Sequence, residues 1–217
     1  QCRRLTWNPN YKGLDDWQLA LRKNAAKEPK TMTFREQYLY GACEIAQIDA
    51  CVERWHKAQP DGVSLQAYLG LLDEEYQAFL QPSGNSRLAD LLNAQRKQLG
   101  CRIYQLEFTD TEKTKPFAFS GIDALRKAGF QQPPASEYRL VRDETLYCPK
   151  DELDLAVLER VFDCYNGKLP ADYPGRCIAP SDVLELYDAE KRRYYYRDMK
   201  QFVPVAFSPL MARPIQK

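Results

Sequence analysis

Few residues in this chain have the type and spacing to do chemistry. The chain has a single histidine, His56, so an imidazole-dependent nucleophile or metal site would have to use it. Beside Trp55 and upstream of Pro60, it reads as a helix-terminal residue facing exposed carbonyls rather than as a general base. The seven cysteines are Cys2, Cys43, Cys51, Cys101, Cys148, Cys164 and Cys177. They include no Cys-x-x-Cys pair and no Cys/His cluster, the short local spacings from which tetrahedral metal sites are built. Cys43 and Cys51 are two helical turns apart, too far for joint ligation, and the set reads as reduced, mostly buried thiols. Carboxylate pairs at Asp15/Asp16, Glu74/Glu75 and Asp151/Glu152 could serve glycoside or metal chemistry. The first and third fall at expected helix starts, where negative charge offsets the helix dipole, and the second falls on a polar face between Leu72 and Tyr76. Glycine-rich phosphate loops, dinucleotide fingerprints and the G-x-S-x-G elbow are all missing from the sequence. The expectation is a non-enzyme with no cofactor and no metal.

One constellation points to binding instead. Lys191-Arg192-Arg193-Tyr194-Tyr195-Tyr196-Arg197, followed by Lys200 and Phe202, interleaves cations with aromatics. On a strand, such a pattern can contact phosphates and stack bases, or dock a protein. Alternation puts Tyr194 and Tyr196 on one face and Tyr195 with Arg193 and Arg197 on the other, so one set must be core. The candidate partner or nucleic-acid contacts are Lys191, Arg192, Arg193, Tyr195, Arg197 and Lys200. Fourteen tyrosines and three tryptophans exceed what a small core needs, and amphipathic aromatics are favoured where proteins dock. That composition favours a protein partner.

The elements that must position these residues fall into two halves. The first reads as helical. Leu14, Trp17 and Leu21 share a helical face over residues 14–26. Thr33-Phe34-Arg35-Glu36 has the form of a capping box, and Phe34, Tyr38, Ala42, Ile45, Val52 and Trp55 continue one stripe behind it. After Pro60-Asp61-Gly62, Ser64 can cap a third helix through Leu65, Tyr68, Leu69, Leu72, Tyr76 and Phe79. A fourth, with Leu88, Leu91, Leu92 and Leu99, should stop at Gly100. From Cys101 the pattern changes. Ile103, Tyr104, Leu106 and Phe108 suggest a strand; 120–127 a short helix with Gly129 beyond it; 138–147 a strand; Asp151 the cap of a helix running to Asn166-Gly167; 182–187 and 192–197 two strands. Phe202-Val203-Pro204-Val205 is a last extended piece, with its proline suited to a sheet edge. The fold class is therefore α+β: a helical bundle over 1–100, then a small β-α-β-α-β-β antiparallel-sheet domain over 101–217.

Composition limits the function. A chain of 217 residues with 44% hydrophobic and 28% charged residues can bury a core, and a formal charge of +1 argues against binding nucleic acid or membrane through bulk charge. Neither a bilayer-length apolar run nor a secretory apolar stretch in the first residues is present, which leads us to expect a cytoplasmic location and no membrane partner.

Several motifs of the second half, taken in order, resemble a known family. They are Tyr104-Gln105-Leu106, Phe119, Ala128-Gly129-Phe130, Tyr138-Arg139-Leu140-Val141, Leu158-Glu159-Arg160-Val161-Phe162, Leu169 to Arg176, Pro180-Ser181-Asp182-Val183-Leu184 and Tyr194 to Asp198 leading to Val203-Pro204. Over about residues 101–207 this succession resembles the YodL-like domain family. The resemblance implies an accessory module of proteins carried by mobile genetic elements of gut Firmicutes, with no catalytic residues to carry across. The expected function is a non-enzymatic protein-interaction module of such an element. Its sharper form is an anti-defence inhibitor that binds a host nuclease complex, of the anti-CRISPR or antirestriction type. The alternative is a nucleic-acid-binding regulator using residues 191–202.

Overall fold

The computed structural model describes residues 32–107, 111–167 and 169–215, and residues Phe34–Lys217 form one compact unit. The expected helix over 14–26 and the Asp15/Asp16 pair lie outside the described residues. The observed class is α+β, with helices first and an antiparallel sheet after them. Among the described residues, no helix is long and apolar enough to cross a membrane.

The helical part comprises α1 (Phe34–Leu39), α2 (Ile48–Ala58), α3 (Leu65–Leu69), α4 (Asp73–Phe79) and α5 (Gly84–Gln95). Two expected helices are each broken by a glycine. The stripe from Phe34 to Trp55 is interrupted at Gly41, which has φ +71°; Ala42 N–H donates to Gln37 O and Gly41 N–H to Tyr38 O, the paired bonds of a Schellman end. Gly70, with φ +73°, ends α3 the same way before α4 begins. The apolar spacing survives both breaks because the separate helices pack into one core of Phe34, Tyr38, Ile48, Leu69, Leu88 and Leu92. Glu75 is not on a polar face: it is 1% exposed, receives Arg35 Nε at 2.9 Å, Gln95 Nε2 at 2.8 Å and Leu72 N–H at 2.8 Å, and so ties α1 and α5 to the start of α4. His56 is exposed in the last turn of α2, as expected of a helix-terminal residue.

Helix α5 stops at Gln95 rather than at Gly100, and β1 (Arg96–Leu106) follows with no intervening residue. Leu99 fits a helical stripe through Leu92 and also alternates with Cys101 and Ile103; strand pairing with Leu146 decides the matter. Then come α6 (Thr111–Thr114), α7 (Ile122–Lys127), β2 (Tyr138–Pro149), α8 (Asp154–Tyr165), β3 (Val183–Tyr187), β4 (Arg192–Arg197) and β5 (Phe202–Val205). Leu153, not Asp151, occupies the position before α8. The sheet order is β2-β1-β3-β4-β5, all antiparallel, which places Pro204 on an edge strand.

Both faces of the sheet are covered. One packs Cys101, Ile103, Leu184, Leu186 and Tyr195 against Val157, Leu158 and Val161 of α8. The other packs Tyr104, Leu106, Val183 and Tyr196 against Phe117, Leu125 and Phe207. The helical part meets the sheet at Arg96, whose guanidinium lies 4.7 Å from the Tyr38 ring and 4.6 Å from the Tyr147 ring.

Candidate interaction surface

β4 is the fourth of five strands, so its backbone is paired on both sides and its residues divide by face. Arg193, Tyr195 and Arg197 point towards α8. Tyr195 donates to Asp154 Oδ2 at 2.6 Å, and burial, with that hydrogen bond, pushes its phenol up to about 12. Arg193 is ion-paired to Asp154 and Asp188. Arg197 is buried over the Phe162 and Phe202 rings at 4.1 and 5.0 Å, with Glu159 at 3.7 Å. On this strand both aromatic sets are core, because each face of the sheet has its own cover; the alternation that requires one core set is met on both faces. Lys191 and Lys200 are exposed at the two ends of the strand.

Arg192 lies on the opposite face, where residues distant in sequence converge. Glu185 of β3, wholly buried, receives Arg192 Nη1 at 2.7 Å, Tyr104 Oη at 2.8 Å and Tyr194 Oη at 3.3 Å, with Arg102 Nη1 at 3.7 Å. Burial and the bond to Glu185 push the Tyr104 phenol well above its ordinary range. Arg102 also pairs with Asp143 at 2.9 Å, and its guanidinium and that of Arg192 lie 4.6 and 5.2 Å from the Tyr187 ring. A carboxylate buried in this way is held by charge-assisted bonds that use most of its lone pairs.

Above this cluster lies an open groove of about 770 Å³. Its lining is apolar at Tyr104, Leu140, Phe207 and Leu210 and cationic at Arg102, Arg192 and Arg213. The C-terminal segment forms its wall: Arg213 N–H donates to Tyr138 O, and Leu140 N–H to Arg213 O, extending the sheet beside β2. Of the candidate partner or nucleic-acid contacts read from the sequence, only Arg192 lines this groove. Arg102, Glu185 and Arg213 were missed. Glu185 had a readable signal, a charge between Leu184 and Leu186 in a strand buried on both faces, which demands a partner.

At the far end of the sheet, other segments meet. Asp182, wholly buried, is gripped by Arg176 through Nη1 at 2.7 Å and Nη2 at 2.5 Å, by Gln105 Nε2 at 3.1 Å and by Ala179 N–H at 3.0 Å. Burial pushes its carboxyl up, and those donors oppose the shift. The adjacent Ser181 has φ +81°, which its surroundings impose: its N–H donates to Arg197 O, its carbonyl accepts from Tyr138 Oη and its Oγ from Phe119 N–H. Gln105, Phe119, Arg176, Ser181 and Asp182 all belong to the motifs that carry the family resemblance, and here they form one network. Such a network fixes loops at the sheet end.

No curated protein and no solved structure matches the chain. A family model does match, over residues 100–207, which include β1 from Gly100 onward and all four later strands. With the sheet from Gly100 onward, its two covers and the Asp182 network inside that match, residues 100–207 of this chain match the YodL-like domain family.

Proposed function

We propose that this protein is a non-enzymatic protein-interaction module that engages its partner through the groove between the β1–β3–β4 face and residues 207–214. The observation that carries this reading is the combination at one concavity of an apolar floor with three guanidinium groups, a composition suited to protein docking. The finer form is an anti-defence inhibitor of a mobile genetic element that binds a host nuclease complex; it rests on the family resemblance. The nucleic-acid reading of residues 191–202 is weaker, because Tyr195 and Tyr196 are buried and the Tyr194 ring packs on Phe207.

The test is affinity capture by the tagged chain from a gut Firmicute lysate, with and without nuclease treatment. The expected result is a stoichiometric protein that survives nuclease and is lost on Leu210→Asp. Recovery that requires nucleic acid, or that Leu210→Asp leaves unchanged, overturns the reading.

A further inference from the structure

The groove's charge and shape specify more than a partner in general. Among the described residues no carboxylate lines it, while Arg102, Arg192 and Arg213 do, and the acids that pair with them sit outside the lining or beneath it. Arg192 is the most available of the three, with a side chain 49% exposed. Only its Nη1 bonds Glu185, so its Nε and Nη2 make no hydrogen bond among the described residues. A guanidinium that lines an open concavity and keeps donors in reserve matches a carboxylate in charge and in its capacity for paired hydrogen bonds. The apolar part of the lining favours aliphatic contact over flat stacking. Phe207 and Tyr104 are 7% and 2% exposed and present no open ring face, whereas Leu210 is 96% exposed on the wall. The volume falls in the range that takes a few side chains rather than a folded element.

Building on the docking role of this groove, we infer that its occupant is an extended acidic segment of a partner protein. One carboxylate of that segment meets Arg192, and an adjacent aliphatic side chain rests against Leu140 and Leu210. Electrostatic complementarity of this kind sets partner choice and makes binding sensitive to salt.

The experiment is selection of a randomised octapeptide display library on the purified full chain, followed by affinity measurements on the enriched peptides, with a single-stranded DNA oligonucleotide as competitor. The expected outcome is enrichment of Asp or Glu next to Leu, Ile or Val. Replacing the acid by its amide, or Arg192 by Gln, should weaken binding at least about tenfold, the scale of one charge-assisted hydrogen bond. Arg192→Gln also takes a bond from Glu185, so Leu210→Asp is the companion variant: its side chain carries no packing, and it too should weaken binding about tenfold by placing a carboxylate against the ligand's. Neutral or basic peptides whose binding is lost in Leu210→Asp would leave groove docking standing and overturn the acidic occupant. No enrichment, or peptides indifferent to Leu210→Asp, would overturn both. Displacement by the oligonucleotide in preference to peptide would replace a protein occupant with nucleic acid.

Discussion

The helical part, 34–95, and the sheet part, 96–207, use charge in opposite ways. Among the described residues, the buried polar side chains are Glu75, Gln105, Thr114, Glu137, Ser181, Asp182, Glu185 and Arg197, and only Glu75 belongs to the helical part 34–95. The helical core is otherwise an aliphatic and aromatic cluster whose main stabilisation is buried apolar area. The sheet is covered on both faces, so a charge within it has no solvent face to turn to and finds its partner on another strand, a loop or the covering helix. A helix can hide its apolar stripe and still solvate its charges; a strand buried on both sides keeps them inside, bonded as at Glu185 or laid over aromatic rings as at Arg197.

The sharpest way to break this comparison is to remove one partner in each part. Arg176→Ala leaves the Asp182 carboxylate buried without its bidentate cation and should cost about 3 kcal/mol, the low end for a broken buried pair because Arg176 keeps some contact with water. Leu92→Ala in the helices should cost about 2–5 kcal/mol through its cavity alone. Urea denaturation separates the two by a second-site change. Adding Asp182→Ala should restore part of the Arg176→Ala loss, since it removes the stranded charge; simple additivity would show that the pair is not coupled.

A smaller effect is expected at Ser181. Ser181→Val forces a β-branched residue into φ +81° and deletes the hydroxyl that accepts from Phe119 N–H, a loss of about 1–3 kcal/mol. Ser181→Gly keeps the backbone relaxed and should lose less. Equal losses in the two variants, measured by thermal unfolding, would mean that the hydroxyl and not the dihedral matters.

The mildest probe is alkali. Burial raises the phenols of Tyr104, Tyr138, Tyr165, Tyr173, Tyr195 and Tyr196, that of Tyr195 to about 12. Because each folded value lies above that of the unfolded chain, near 10, the stability they contribute is complete below that pH and is lost as pH rises through the folded values. Phenolate absorbance from these side chains should therefore appear together with loss of ellipticity. Absorbance that runs ahead of unfolding would show that the phenols are in contact with water.

Much of this fold was legible in the sequence because its elements are local. Residues 192–197 form a strand, Gly129 follows α7, and Pro204 lies on an edge. What failed was punctuation: Gly41 and Gly70 look tolerable inside a helical stripe, and only the bonds around them show that each ends a helix. Leu99 satisfied two periods at once. The candidate surface was legible only at Arg192. Its neighbours Arg102 and Arg213 lie far along the chain, and Glu185, seven residues from Arg192, becomes its partner only through the β3–β4 pairing. Local spacing does not encode contacts that sheet order creates.

The direct passage from Gln95 into Arg96 has a practical consequence. The family match begins at Gly100, inside β1, whereas the strand begins four residues earlier and pairs Arg96–Leu99 with Leu146–Pro149. A fragment cut at the homology boundary would strip those rungs from the ladder, leave the last turn of β2 without a neighbour, and remove the Arg96 guanidinium from between two tyrosine rings. For this protein, the stretch that matches the family and the strand ladder that stretch belongs to do not begin at the same residue.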